Sequence, residues 1–530
     1  TVIVIAPLHS VTSPTVGVAY LKSSLESNGI ACPVLDLNIR LYQEVRQARI
    51  VDNEWLHWLF PFGERTYGGE FLMSQVSFNR ATDSILEDSA RIATHSLQEF
   101  VERLDLPYRL AGDEAVALRS SIARFLDDAA SELALAAETW LGFSVVVTSI
   151  PATIRLARDV KRLAPHLRII AGGPHFHRGN ARQWLDAVPE FDAVFLGDAR
   201  LSLQEWLQGT EQSSAGLVVE RNHTGVNLLH QPLRGRMPDH CFADWSGFEL
   251  QNYESSFLAP HEGGSVMPVI PVHGAAGCSY NRCTFCYEVL LTPRFMARTP
   301  SDVVGEVQFQ CKRHSTNLLF FTDLDFNSDY QRTLDLCRGL RTECPSVRFS
   351  CWLRAHELDS EMLESLYAAG GRQMFIGIES VTDNLLSLMA KGYDRAHAIS
   401  VLRTLRDFSN RHSDVRYAFN LITNYPGENL DDVKETLALV RDEPSLFQGH
   451  VAALFQFSLT QNTIAWARRD LMGLKKVSGF LALLLPDELK HVIPSHQYFY
   501  DDDGADAETR TLLWDVLRMS LGHVPRYLRM

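Results

Sequence analysis

The stretch Gly277-Cys-Ser-Tyr-Asn-Arg-Cys-Thr-Phe-Cys-Tyr287 follows directly on the apolar run from Met267 to Val272 and places three cysteines within nine residues. An apolar run that breaks into a cysteine-rich loop reads as a buried strand delivering thiols to its carboxyl end. Thiolates from Cys278, Cys283 and Cys286 can hold three irons of a [4Fe-4S] cluster and leave the fourth iron without a protein ligand, open to chemistry. The same thiols could instead form a structural zinc knuckle, which needs a fourth ligand to close a tetrahedron, with His273 or a distant cysteine as candidates. The remaining six cysteines, Cys32, Cys241, Cys311, Cys337, Cys344 and Cys351, are scattered and form no second close pair. A disulfide framework is not expected in a chain of this length in which no secretory signal is read.

Outward from the loop, six apolar runs recur: Met267 to Val272, Leu318 to Thr322, Val347 to Leu353, Met374 to Ile378, Tyr417 to Ile422 and Val451 to Phe457. Each of the first five precedes helix-like sequence, such as Pro300 to Arg313 and Glu361 to Ala369, so the segment predicts six βα units and a partial barrel. In parallel barrels the polar residues that do chemistry sit at the carboxyl ends of strands. Thr322-Asp323, Arg354, Glu379-Ser380 and Asn420 occupy those positions. Glu379 ends a strand expected to be buried on both faces, so its carboxylate needs a partner, either a ligand or the start of the next helix.

The first half alternates in the same way. Strands are expected at Thr1 to Pro7, Ala31 to Leu37, Phe143 to Ser149, Leu167 to Ala171 and Phe191 to Gly197, with helices at Val16 to Asn28, at Ala152 to Leu163 and from Leu201. That order predicts a doubly wound parallel sheet, which binds ligands at the carboxyl ends of its strands. The relevant ends are Pro7 to Ser10, Thr148-Ser149, Gly172-Gly173 and Gly197-Asp198, and small residues there let a large ligand approach the backbone. Gly172-Gly173 can equally be a tight strand-to-helix turn. A helix-rich, aromatic insertion spans residues 41–141, a polar, Gly-rich linker 216–265, and a C-terminal region with the acidic patch Asp501 to Asp503 begins near Lys475.

The cysteine loop resembles that of radical S-adenosylmethionine enzymes, whose usual spacing is Cys-x3-Cys-x2-Cys with an aromatic before the last cysteine. Phe285 holds the aromatic position, while four residues rather than three separate Cys278 from Cys283, a longer gap found among the cobalamin-binding members. The resemblance implies that S-adenosylmethionine chelates the open iron and that its reductive cleavage yields a 5'-deoxyadenosyl radical, with the protein positioning and shielding. It also implies an external electron donor such as flavodoxin or ferredoxin. Gly-Ile-Glu379-Ser380 resembles the family's fourth-strand motif that contacts S-adenosylmethionine. Thr322, Asp323, Asn420 and Gly427-Glu428 also fall at family positions, with the end of the second strand beside the amino group of that ligand.

The first half resembles the cobalamin-binding domains that precede many such barrels, in Ala6-Pro-Leu-His9, Pro14 to Leu21 and Gly172-Gly-Pro-His175. Pro7, Thr148, Ser149, Gly172 and Gly173 would then line the cobalamin site. The Asp-x-His-x-x-Gly signature is absent, so no histidine is expected on cobalt. The stretch from Glu54 to Gly63 is similar to radical enzymes that mature ribosomally made peptides, with Arg65 and Tyr67 within possible reach of the cofactor. Together these imply a cobalamin-dependent C-methyltransferase acting on a peptide or small natural product, with a non-methylating radical rearrangement as the second enzymatic reading. A zinc-knuckle binding protein is the reading from another class.

Composition bounds the rest. At 530 residues two or three domains are expected, and 46% hydrophobic residues suffice for sizeable cores. No apolar stretch has the length of a membrane span, so a cytoplasmic protein without a membrane partner is expected. A net charge of -14 argues against a nucleic-acid partner, because affinity for a polyanion rests on the phosphates neutralised.

Overall fold

The computed structural model describes the chain apart from residues 61–67, 80–108, 110, 178, 210–216, 223–224, 230–240, 255–267, 293, 448–449, 461–462, 473, 475–485, 487–488, 490–496, 500–506 and 521–530. Two compact units divide it: Thr1–Glu254 with Ser478–His496, and Ser255–Val477 with Gln497–Met530.

The first unit is built on β1 (Val2–Ile5), β2 (Val34–Asp36), β3 (Trp140–Ser144), β4 (Arg168–Gly172), β5 (Ala193–Leu196), β6 (Leu217–Asn222) and β7 (Gly225–Leu229), in the spatial order β2-β1-β3-β4-β5-β6-β7. β1 to β5 run parallel, and all four residues of β1 are buried, as a strand covered on both faces requires. The helix Ile150–Leu163 shows how the covering works. It buries Ile150, Ile154 and Ala157 with Thr153, Leu156 and Val160 at helical spacing, carries Pro151 in its first turn, and ends on Lys161 and Arg162, which favour the negative end of the dipole. Winding reverses between β1 and β3, and a crevice at the carboxyl ends of those strands is where such sheets take ligands.

Two expectations shift here. β3 ends at Ser144 rather than running to Ser149; Val147–Ser149 is a 3-10 turn in which Ser149 Oγ donates to the Val146 carbonyl (3.1 Å) and accepts from the Val146 N–H (3.2 Å). The stretch read as a connecting linker supplies β6 and β7, which pair antiparallel at the sheet edge, β6 extending the open edge at β5. The insertion is helical where described, over Leu37–Ala48, Asn53–Leu59, Gly68–Phe78 and Asp113–Ala136; Arg65 and Tyr67 lie outside the described residues.

The second unit contains β8 (Ile270–Val272), a short antiparallel pair β9 (Ala275–Ala276) and β10 (Met296–Ala297), then β11 (Leu318–Phe321), β12 (Arg348–Arg354), β13 (Gly371–Glu379), β14 (Arg416–Thr423) and β15 (Val451–Gln456). β8, β11, β12, β13, β14 and β15 lie side by side in chain order, all parallel, and the first and last do not pair among the described residues. This is the expected open six-stranded barrel. Its helices start on side-chain caps legible in the sequence: Thr299 before Pro300–His314, Asp329 before Tyr330–Glu343, Asp359 before Ser360–Ala368, Asp394 before Arg395–Arg411 and Asn429 before Leu430–Asp442. On β12, Cys351 (0%) and Leu353 (2%) face the helices while Trp352 between them is 37% exposed, so the other face is the open one. Trp352 stacks there on Phe375 of β13 at 4.6 Å.

From Gln497 onward the C-terminal segment belongs to this unit. β16 (Ser458–Thr460) pairs with β17 (Gln497–Phe499), and the helix Ala507–Ser520 packs on Leu430–Asp442. Asp501 to Asp503 fall outside the described residues. Among the described residues no helix is long and apolar enough to cross a membrane.

Candidate functional site

The cysteine loop leaves β8 through two glycines that cannot be replaced cheaply. Gly277 has φ +79, and a Cβ there would lie 2.9 Å from the Arg294 carbonyl; a Cβ on Gly274 would lie 2.9 Å from Asp323 Oδ2. All three loop cysteines are free. Cys278 Sγ–H donates to Asp325 Oδ2 (3.2 Å), and the backbone N–H groups of Tyr280 and Asn281 point at the same sulfur. Those of Glu288 and Val289 point at the sulfur of Cys286. Burial pushes the Cys278 thiol up to about 11, helped by the Asp325 charge, and the Cys286 thiol up to about 12; burial also raises Cys283, opposed by the nearby Lys391 ammonium. Buried thiols of this kind stay protonated at neutral pH unless a metal compensates the charge, while N–H donors aimed at sulfur favour the thiolate that a metal needs. The donor set therefore fits an iron–sulfur cluster, whose irons take separate thiolates. His273, weighed as a fourth zinc ligand, instead directs Nδ1 to Thr322 Oγ1 (3.1 Å) and lies 3.8 Å from Asp323. Among the described residues no three of His, Cys, Asp and Glu converge on a single metal ion.

The strand-end residues divide into spent and available groups. Asp323, expected beside a bound ligand, is fully buried, and its Oδ1 accepts the Gly274 N–H (2.6 Å), tying β11 to the start of the cysteine loop. Its carboxyl is raised by burial, against His273, Arg332 and the Gly274 and Ala275 N–H groups. Ser380 accepts the Thr382 N–H (3.3 Å) in a local turn. Asn420 lies half-buried in β14 in register with Ala453. Glu379 sits at the end of β13 with φ +69, a left-handed conformation rare for a side chain of its size, where the strand register shifts. Burial raises its carboxyl, opposed by Lys391, whose Nζ is 3.8 Å away.

Sequence reading missed Lys391. The residue is 5% exposed and donates to the Gly377 carbonyl (2.9 Å). Burial works against its charge, but Tyr393, Glu379 and Cys283 outweigh it and the pKa is raised. A lone lysine beyond a short helix normally reads as a solvated charge; the positive φ of Ala390 and Gly392 around it, and the contact between a Cβ at Gly392 and Tyr280 Oη at 2.5 Å, were the missing signal. The same segment grips the cysteine loop. Tyr280 Oη donates to the Ala390 carbonyl (2.6 Å) and its ring carries the Arg354 guanidinium at 4.2 Å, while Thr284 N–H donates to the Met389 carbonyl (3.0 Å). Arg354 also lies 4.0 Å from Asp325, whose Oδ1 is buried without a hydrogen-bond partner among the described residues. Phe285, the expected aromatic, packs against Leu385, Tyr425 and their buried neighbours, with the Lys391 ammonium 5.8 Å from its ring centre.

At the ends of β1 and β3 in the first unit, polar side chains bond backbone. Thr148 Oγ1 donates to the Leu8 carbonyl, the His9 N–H to Asn38 Oδ1 (2.9 Å), and Asn38 Nδ2 to the Ser10 carbonyl (3.3 Å). His9 Nε2 lies 3.2 Å from the Ser144 carbonyl, and since that oxygen only accepts, Nε2 carries the hydrogen. Burial lowers His9 to about 4, so it is neutral at pH 7. Gly173, at φ +116, lets the chain pass Val145, whose carbonyl oxygen would lie 2.6 Å from a Cβ; at Gly172 a Cβ would make only ordinary contact with Phe195. Pro7 is buried.

Residues 274–440 match the family described as the Radical SAM superfamily, so the second unit carries a radical SAM domain. The whole architecture has solved counterparts. It matches TsrM, a radical S-adenosylmethionine methyltransferase from Kitasatospora setae solved with cobalamin and a [4Fe-4S] cluster, with a TM-score of 0.60 and 14% identity over 97% of this chain and 90% of that one. It also matches OxsB, a cobalamin-dependent S-adenosylmethionine radical enzyme solved with aqua-cobalamin and S-adenosylmethionine, with a TM-score of 0.60 and 13% identity over 98% of this chain and 67% of that one. At such identities the likeness concerns the fold. An uncharacterized methyltransferase of Pyrococcus horikoshii, PH0819, is 18% identical over 307 residues, 57% of this chain; the chain spans 63% of that relative's length.

Proposed function

We propose that the protein is a cobalamin-dependent radical S-adenosylmethionine methyltransferase that methylates an unactivated carbon of a peptide or small natural product. The observation that carries the reading is the three-thiol loop, with N–H donors aimed at Cys278 and Cys286, beside a strand end whose half-buried Glu379 lies 3.8 Å from the Lys391 ammonium. Cys278, Cys283 and Cys286 would hold the cluster, Glu379 would meet donor groups of S-adenosylmethionine, and the ends of β1, β3 and β4 at Pro7, Thr148-Ser149 and Gly172-Gly173 would line the cobalamin site. When bound, these groups supply reductive formation of an organic radical and a carrier for a methyl group. The chain's own share is position and exclusion of water. Gly277 and Gly274 let the loop fold tightly over the strand ends, Tyr280 and Thr284 pin it to the segment around Lys391, and Trp352 and Phe375 keep the open face of the barrel apolar.

An electron donor such as flavodoxin or ferredoxin would be required, and the aromatic insertion's similarity to peptide-maturing enzymes favours a ribosomal peptide as substrate. A second reading, a radical rearrangement without methyl transfer, is favoured by the equal fold likeness to OxsB, described as a radical enzyme rather than a methyltransferase. Anaerobic turnover of the reconstituted, cobalamin-loaded chain with methyl-labelled S-adenosylmethionine and candidate precursor peptides separates the two. Label on a product carbon supports methylation, 5'-deoxyadenosine with an unlabelled product supports rearrangement, and neither contradicts both.

A further inference from the structure

The C-terminal helix Ala507–Ser520 reaches the cysteine loop through hydrogen bonds joined by the peptide link between Asn424 and Tyr425. Trp514, 2% exposed, donates its indole N–H to Glu428 Oε2 (3.1 Å), and Arg510 donates to the Glu428 carbonyl. The same Oε2 accepts the N–H of Asn424 (2.9 Å), a residue at φ +55 in the turn that follows β14. One carboxylate oxygen thus joins the helix to a turn held in a left-handed conformation. Tyr425, the next residue and 1% exposed, places its hydroxyl 2.6 Å from Thr284 Oγ1. Thr284 lies between Cys283 and Cys286 and is fixed on every side: its N–H donates to the Met389 carbonyl (3.0 Å), its hydroxyl to the Leu388 carbonyl (3.0 Å), and its carbonyl accepts from Ala465 (2.8 Å).

We propose that the C-terminal helix braces the cluster-bearing loop, with Trp514 and Tyr425 as positioning residues acting in series through Glu428 and Thr284. The inference rests on the reading of Cys278, Cys283 and Cys286 as cluster ligands. Its physical content is geometric: three thiolates can share one cluster only while their loop keeps one conformation, and a turn locked by the helix removes alternatives the loop would otherwise sample. A helix that merely covers the barrel would stabilise the unit without acting on the loop in particular.

The test uses the full chain, reconstituted anaerobically, with Trp514→Phe, Tyr425→Phe and the double variant. Tyr425→Phe removes one donor and keeps the ring; Trp514→Phe removes the indole N–H and leaves a smaller ring in its place. The rate at which a chelator captures iron should rise roughly 2- to 12-fold in each single variant, the span expected for one buried hydrogen bond. The double variant should be no faster than Tyr425→Phe, because residues in series share one effect. Two effects that multiply would overturn the proposal, as would a lower melting temperature in Trp514→Phe beside an unchanged rate. If Trp514→Phe takes up no iron, amide hydrogen exchange across residues 278–286 of the unloaded chain decides: faster exchange than wild type supports the brace, and equal exchange refutes it. A wild-type chain that binds no cluster fails the proposed function instead.

Discussion

The carboxyl ends of β1 and β3 and those of β11 and β13 hold equivalent places in two parallel sheets, yet they use some polar side chains differently. In the first unit Thr148, Ser149, Asn38 and His9 all bond backbone. In the second, Glu379 keeps its carboxylate 3.8 Å from the nearest ammonium identified and Asp325 keeps one buried oxygen without a partner among the described residues. Polar groups buried without full satisfaction cost stability, and a fold retains them where a ligand or reaction needs them.

The sharpest way to break that contrast is to remove the charges' reason for existing. Replacing Cys278, Cys283 and Cys286 together with Ala should abolish iron binding and the broad absorbance near roughly 400 nm that thiolate-to-iron charge transfer gives; a cluster retained at full iron content would refute the assignment.

Next in size is Glu379→Gln, which keeps the shape and removes the charge. Calorimetry on the cluster-loaded variant should show S-adenosylmethionine binding weakened about 10- to 150-fold, as for loss of a charge-assisted contact. An unchanged dissociation constant beside a lowered melting temperature would make Glu379 a structural residue.

A smaller effect comes from Glu428. Burial raises its carboxyl to about 7, with Asp432 adding to the rise and Trp514, the Asn424 N–H and Arg510 opposing it. The folded chain therefore keeps a proton that the unfolded chain releases above its ordinary value of 4.5. The contribution is full below that value and lost as pH rises through about 7, on the order of 3 kcal/mol in all. Melting curves from pH 4.5 to 8 should fall for wild type relative to Glu428→Gln; parallel curves would exclude the linkage.

The first unit offers the subtlest signal. His9 is neutral with Nε2 committed to Ser144, and the proposed cobalamin should carry no histidine nitrogen on cobalt. Electron paramagnetic resonance of the Co(II) form should lack nitrogen superhyperfine splitting, and a nitrogen triplet would give the first unit the side-chain chemistry denied to it here.

Much of this was legible in the chain because local signals agreed. Apolar runs each followed by helix-like sequence, and a cysteine loop after the first strand, all indicated one architecture. Where the reading slipped, tertiary contacts had overridden pattern. Val145 to Thr148 look like strand, but Ser149 and the Leu8 carbonyl pull that stretch into a turn. β6 and β7 hide in polar, glycine-containing sequence because an edge pair needs little hydrophobicity. Asp323 stands at a strand end as expected, but its direction, toward Gly274, depends on a loop 49 residues away. Lys391 and Trp514 acquire meaning only through partners distant in sequence, Gly377 and Glu379 for one and Glu428 for the other.

The central claim, a cluster on three cysteines with one iron left for a ligand, is tested most directly by Mössbauer spectroscopy of the chain reconstituted with iron-57, with and without S-adenosylmethionine. The account predicts about four irons per chain in one cluster, one of them changing its signal when S-adenosylmethionine is added. A cluster whose irons are all indifferent to that ligand, or iron absent with zinc in its place, would contradict it.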